Sequence, residues 1–145
     1  KHILLRNQRL TLDSFDENIY RELISNSRTF GFKADVDMLL EKGLIKGGSL
    51  NNAILLDETG IVNEEELRYP DEFVRHKILD FIGDLFLLGN KSEGHFEIFC
   101  GGHNLTHELL KTIMADQSNW KLMDEIPPDF DKRLVKSNAE ISAAI

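Results

Sequence analysis

The segment from Pro70 to Gly89 constrains this chain more than any other. Pro70 suits a first-turn position, Asp71 and Glu72 put acid at the positive end of a helix, and Gly89 supplies the stop. Phe73, Ile78, Leu79, Phe81, Ile82, Leu85 and Leu88 fall on more than one face of that helix, so it needs cover over much of its circumference. Such a helix sits inside a layered fold, and the rest of the chain has to supply the layers. At 145 residues the chain is one domain or two small intimate ones, and it can bury a core without disulfides. Its single cysteine, Cys100, excludes an internal disulfide and suits a reducing compartment, most simply a cytosol.

The remaining elements are shorter. Ile3–Leu5 and Arg9–Leu12 read as strands, the second alternating with period two. Asp13 or Ser14 can cap a helix that runs to about Asn26. Thr29–Phe32 reads as an apolar loop or short strand. A helix fits Ala34–Lys42, with Val36, Leu39 and Leu40 inward and Gly43 as its stop. Gly47-Gly48 turns the chain towards a strand at Ala53–Leu56. Beyond the long helix, His95–Phe99 alternates like a strand and a further helix runs from about Asn104 to Ala115. Strands and helices mixed without regular βαβ alternation predict an α+β fold. The expected organisation is a two-layer sheet-and-helix domain over residues 1–123, with a small αβ insertion near 33–62 and a flexible tail at 124–145.

Charge and hydropathy exclude other classes. Lys and Arg number 17 against 25 Asp and Glu, a net charge of −8, which argues against a nucleic-acid partner. No apolar run approaches the roughly 20 residues of a membrane span. The opening Lys1–Arg6 has too short an apolar stretch for a signal peptide.

The residues fit for chemistry gather around the long helix. His76 and Asp80 stand at i and i+4, so an imidazole and a carboxylate converge on one helical face. That geometry suits two zinc ligands. Spacing alone favours a plainer reading, a His–Asp hydrogen bond on a solvated face, and the apolar surroundings shift the balance towards a carboxylate with a strong partner. Asp84 continues the face one turn on, either as a solvated carboxylate or as an acceptor that orients another imidazole. His103 follows Gly101-Gly102 at the mouth of a helix, where it is either a capping residue or a group close to substrate. Spacing alone suggests His76, Asp80 and His103 as a three-ligand zinc site with an open position. His2, His95 and His107 read as ordinary surface or packing residues. No nucleophile elbow, Walker loop or dinucleotide-binding glycine fingerprint is present.

Taken in order, several motifs resemble one family. They are Arg28-Thr29-Phe30-Gly31-Phe32, Gly43-Leu44, Gly47-Gly48-Ser49-Leu50 and Leu67-Arg68-Tyr69 in the first half. Asp71-Glu72-Phe73-Val74-Arg75-His76-Lys77, Asp80, Ile82-Gly83-Asp84-Leu85 and Gly102-His103 complete them. The set resembles UDP-3-O-acyl-N-acetylglucosamine deacetylase, the zinc amidase of bacterial lipid A synthesis. The resemblance runs from roughly Arg9 to Trp120 and covers the family's C-terminal half.

The resemblance implies two similar α+β domains that clamp an active site, a Zn2+ cofactor and an acylated UDP-N-acetylglucosamine substrate. It matches His76 and Asp80 to two of three zinc ligands. His103 matches the electrostatic and general-acid histidine, which displaces the three-ligand site, and Asp84 matches the carboxylate that holds it. Thr29 matches the hydroxyl that helps hold the oxyanion, and Phe30 and Lys77 match substrate-contacting positions. Ile45, Gly48, Ser49 and Ala53 match the wall of a passage for the fatty acyl chain. The third zinc-ligating histidine and the general-base glutamate belong to the family's N-terminal half, so that half is an implied partner and this chain alone is expected to be inactive. Cys100 stands where the family often carries a basic residue, and Lys33 is a polar intrusion beside the passage. The implied setting is the bacterial cytoplasm, with peripheral proximity to a membrane and no transmembrane segment. The alternatives are a non-catalytic module that binds an acylated nucleotide sugar or a protein, and a structural domain with His76 and Asp80 as a buried polar pair.

Overall fold

The computed structural model describes residues 2–5 and 8–124. Helix α1 starts at Glu17–Ile19 and continues as a π-turn over Tyr20–Ile24. Asp16 caps it, its side chain accepting from the Ile19 N–H at 2.8 Å. Strand β1, Thr29–Phe32, leads directly into α2, Lys33–Glu41, which ends where Gly43 takes up a left-handed φ of 71°. Strand β2, Ala53–Leu56, returns parallel to β1, with Thr29 opposite Ala53 and Phe32 opposite Leu56. A parallel pair needs a crossover, and α2 with its following loop supplies it. Asn63 ties down the loop and the edge of β2: its amide donates to the Leu50 and Ala53 carbonyls and its oxygen accepts from the Leu55 N–H.

Helix α3, Glu72–Leu85, packs on this two-stranded sheet and carries the core. Phe73 is 1% exposed and buries against Leu5, Ile54 and Leu56, with Phe30, Ile61 and Leu67 around them. Burying one such aromatic stabilises the fold by roughly 1.5–3 kcal/mol. A 3₁₀ turn, Phe86–Leu88, extends α3 to Gly89, whose φ of 78° closes it. Helix α4, His103–Ala115, packs against α3 and buries Thr106 and Leu110. The start of α3 is stitched to the end of α1. Arg75 donates to the Leu23 carbonyl, Arg68 to the Asn26 carbonyl, and the Tyr69 hydroxyl to the Glu22 carbonyl.

Helices mixed with a parallel sheet agree with the α+β class. Several local expectations are corrected. Ile3–Leu5 is a 3₁₀ turn rather than a strand, closed by the Leu5 N–H on the His2 carbonyl, although Leu5 is buried as its apolarity demands. Arg9–Leu12 and His95–Phe99 form no strand, because alternation makes a ribbon only where a neighbouring strand pairs with it, and β1 and β2 are the only such partners among the described residues. The alternation in the second is still used: Phe96 turns inward to meet Phe81 edge-on at 5.2 Å, while His95, Glu97 and Phe99 face out. Helix α1 starts at Glu17 and is shorter than expected. Leu40 faces solvent, 52% exposed. Residues 125–145 of the expected tail lie outside the described residues. Among the described residues no helix is long and apolar enough to cross a membrane.

Candidate functional site

The polar chemistry of α3 lies on one ridge. Glu72, His76, Asp80 and Asp84 follow each other at four-residue intervals, so each sits one turn above the last. The Ser27–Arg28 segment meets the first two, and the start of the helix that follows meets Asp84.

His76 is mostly buried, its side chain 13% exposed. Its Nδ1 lies 3.2 Å from the Ser27 carbonyl, which can only accept, so Nδ1 carries the proton and the Nε2 lone pair is free. That Nε2 points at Asp80 Oδ1, 3.2 Å away. Burial lowers the pKa of His76, outweighing the attraction of Asp80 and the Ser27 hydrogen bond, and so favours the neutral, ligand-competent ring. The other oxygen of Asp80 accepts from Lys77 Nζ at 2.7 Å. Lys77 also lies over the Phe30 ring, 5.3 Å from its centroid, and Phe30 meets Phe73 and His76 edge-on.

Asp84, one turn on and 9% exposed, faces α4. His103 Nδ1 donates to its carboxylate, with the two oxygens at 3.0 and 2.8 Å. The opposite nitrogen, Nε2, stands 3.9 Å from Asp80 Oδ1. His103 opens α4 immediately after Gly102, the extended N-cap residue. At Gly101 a Cβ would come within 2.7 Å of Ile98 Cγ2, so any side chain there requires Ile98 to shift. His107, read as ordinary, brings its Nε2 to 3.5 Å from Asp84 Oδ1. Its signal was available in the sequence, since it stands four residues after His103.

Two groups of donors therefore fit a metal ion. Ligands held at roughly 2.0–2.2 Å around a tetrahedral ion lie about 3.3–3.6 Å from one another. The His76–Asp80 pair, at 3.2 Å, stands close to that separation. It offers one neutral imidazole nitrogen and one carboxylate oxygen, with Ser27 holding the imidazole from behind. The second group is Asp84, His103 and His107, whose ligand atoms all lie within 4.8 Å of one another. In the three-ligand set of His76, Asp80 and His103, His103 Nε2 stands 3.9 Å from Asp80 Oδ1 while its Nδ1 is held by Asp84.

The other expected site residues lie around the ridge. Thr29 is exposed at the start of β1, two residues past the Ser27 carbonyl, and pairs across the sheet with Ala53. Ile45, Gly48 and Ser49 lie in the loop that ends at Ala53. The Gly48 N–H bonds the Ile45 carbonyl and the Ala53 N–H bonds the Ser49 carbonyl. Ile45 is held at a left-handed φ of 49°. Leu44, Ile45 and Leu50 make the loop surface apolar and exposed. Sequence reasoning passed over Ser27, Arg28 and Glu72 as site residues: a backbone carbonyl carries no side-chain signature, and the two charged residues meet across a separation of 44 positions.

Comparison with known proteins gives a consistent family. The family model described as "LpxC: UDP-3-O-acyl N-acetylglycosamine deacetylase" matches residues 1–115. A UDP-3-O-acyl-N-acetylglucosamine deacetylase of Myxococcus xanthus (strain DK1622) is 47% identical over 123 residues, covering 85% of this chain and 39% of the relative. The protein of the same name from Lawsonia intracellularis (strain PHE/MN1-00) is 46% identical over 117 residues, covering 81% of this chain and 38% of the relative. That of Coxiella burnetii (strain Dugway 5J108-111) is 48% identical over the same length and shares. The chain spans less than two fifths of the length of these curated relatives.

Proposed function

This chain belongs to the UDP-3-O-acyl N-acetylglycosamine deacetylase family, and on that premise we propose that it supplies one part of the active site of a zinc-dependent deacetylase. The proposed reaction is hydrolysis of the N-acetyl group of UDP-3-O-acyl-N-acetylglucosamine, in lipid A biosynthesis. The observation that carries the reading is the convergence of His76 Nε2 and Asp80 Oδ1 at 3.2 Å, with the His76 tautomer fixed from behind by Ser27.

In this reading His76 and Asp80 hold the zinc, and the third ligand and the general base come from the remainder of the protein. When bound, the ion supplies Lewis acidity, which polarises a carbonyl and makes water acidic enough to act as a nucleophile near neutral pH. Water adds to the acetamide carbon, the C–N bond breaks, and acetate and the amine leave. The amine needs a proton, and His103 is the donor: Asp84 holds its Nδ1, so Nε2 is the nitrogen presented to the leaving group. As an imidazolium, His103 also offsets negative charge on the tetrahedral oxygen, and the Thr29 hydroxyl donates a hydrogen bond to it. Phe30 and Lys77 form a wall of the substrate site, one apolar and one cationic. Ile45, Gly48, Ser49 and Ala53 line the passage for the acyl chain, where each buried methylene stabilises binding by about 0.8 kcal/mol. A nucleotide-sugar substrate places the reaction in the bacterial cytoplasm.

Exposed apolar side chains near the site, among them Phe86, Leu87 and Leu105, give the remainder of the protein a surface to cover. Zinc content and deacetylation, measured on this chain with and without the remainder supplied in trans, test the proposal. Weak zinc retention and no turnover alone, with both restored on complementation, is the expected result. Restored zinc without turnover would favour a binding module instead.

A further inference from the structure

We infer that Glu72 is a positioning residue for the His76–Asp80 pair, acting through the peptide group between Ser27 and Arg28; the inference rests on the metal-centre reading above. Glu72 is fully buried, 0% exposed, one turn before His76 on α3. Its carboxylate accepts four hydrogen bonds. Oε1 takes the Arg28 backbone N–H and the Arg28 Nε–H, both at 2.9 Å, while Oε2 takes Arg28 Nη2 at 3.1 Å and the Arg68 backbone N–H at 2.7 Å.

One of those bonds reaches the metal ligand. The N–H of Arg28 and the carbonyl of Ser27 belong to the same peptide group, and in a trans peptide they point in opposite directions. Glu72 holds the N–H end, and His76, one turn later on the same helix, donates its Nδ1–H to the carbonyl end. A single peptide plane is thus gripped at both ends by two side chains of α3. A carboxylate on the N–H polarises the peptide and strengthens its carbonyl as an acceptor. A stronger acceptor at Nδ1–H raises the basicity of Nε2 and fixes the ring's orientation, which is how outer groups tune a metal-ligating histidine.

A buried ion pair is a poor device for stability alone, since apolar residues of similar volume commonly do as well. A greasy replacement could not hold the Arg28 N–H. Arg28, 3% exposed, serves the carboxylate by matching its fork and carrying its counter-charge, with its Nη1 towards Glu65 Oε2 at 3.6 Å.

The test uses the full-length enzyme that carries this chain. Zinc affinity is measured by chelator competition for the wild type, Glu72→Gln and His76→Ala, with melting curves to show that each is folded. Folded Glu72→Gln should bind zinc about 10- to 100-fold more weakly, and the visible spectrum of the cobalt-substituted variant should shift. Folded Glu72→Gln with wild-type zinc affinity and an unchanged cobalt spectrum would overturn the inference. Should Glu72→Gln not fold, Glu72→Asp keeps the counter-charge for Arg28 while withdrawing from the Arg28 N–H, and it should still lose zinc affinity; wild-type affinity in that variant overturns the inference equally. His76→Ala separates this outcome from the broader one: if it too retains wild-type affinity, the metal-centre reading itself has failed.

Discussion

Replacing Asp84 with asparagine isolates the link between α3 and the histidine that opens α4. In the native protein both carboxylate oxygens face His103 Nδ1, at 3.0 and 2.8 Å. Asparagine keeps the volume and one acceptor oxygen but removes the charge. A hydrogen bond to a charged group contributes about 1.5–3 kcal/mol and a neutral one about 0.5–1.5 kcal/mol, so the exchange forfeits roughly 1–1.5 kcal/mol of what holds the imidazolium. Through-space attraction adds to this: unit charges about 4 Å apart interact by about 4 kcal/mol at an effective dielectric near 20. The His103 side chain is 58% exposed, however, so solvent screens most of that attraction. A combined loss near 2 kcal/mol corresponds to roughly 30-fold in rate. The assay is steady-state deacetylation by the full-length enzyme, with zinc measured on the same preparation. Turnover should fall by roughly that factor with zinc content unchanged, because His76 and Asp80 remain in place. Unchanged turnover, or a loss of activity that tracks a loss of zinc, would show that Asp84 does not act through His103.

Three further outcomes follow from the same geometry. His103→Ala should retain zinc and slow turnover by about 10²- to 10⁴-fold, as removal of a general acid does; equal zinc loss in His103→Ala and His76→Ala would instead restore His103 as a ligand. Gly48→Leu should impair long-acyl substrates more than short ones, since even a Cβ at Gly48 meets the Ile45 carbonyl oxygen at 3.2 Å and so crowds the loop proposed to line the passage; kinetics indifferent to acyl length would remove the passage from this loop. Acid stability should report on Glu72. Burial raises its pKa, but the hydrogen bonds from Arg28 and Arg68 and the Arg28 charge more than offset this, leaving it below the ordinary 4.5. A depressed carboxylate stabilises the fold fully above its unfolded value and loses that contribution as pH falls through the folded one. The gap in Tm between wild type and Glu72→Gln should therefore close on acidification below about pH 4.5, and a constant gap would contradict the assignment.

What the sequence made legible was local. Helix α3 announces itself through its acidic first turn and Gly89, both acting within one or two turns, whereas Pro70, expected in the first turn, stands just ahead of the N-cap residue Asp71. The His76–Asp80 pair was readable for the same reason: helical spacing alone decides which side chains converge. Arg9–Leu12 and His95–Phe99 misled because strand pairing depends on a partner elsewhere in the chain, and alternation reports only which side faces inward. The grip on the Ser27–Arg28 peptide was out of reach for a related reason. One end is a backbone carbonyl, and the other joins residues 44 positions apart. His107 differs, since its four-residue offset from His103 repeats the spacing used to find His76 and Asp80; the carboxylate it meets, Asp84, lies on α3, which the spacing within α4 does not show.

Anomalous scattering at the zinc edge from crystals of the full-length enzyme locates the ion itself. If His76 and Asp80 hold it, one strong peak lies roughly 2.0–2.2 Å from His76 Nε2 and from an Asp80 carboxylate oxygen, with His103 still bonded to Asp84. A peak held instead by Asp84, His103 and His107, with His76 left facing Asp80 alone, would contradict that assignment.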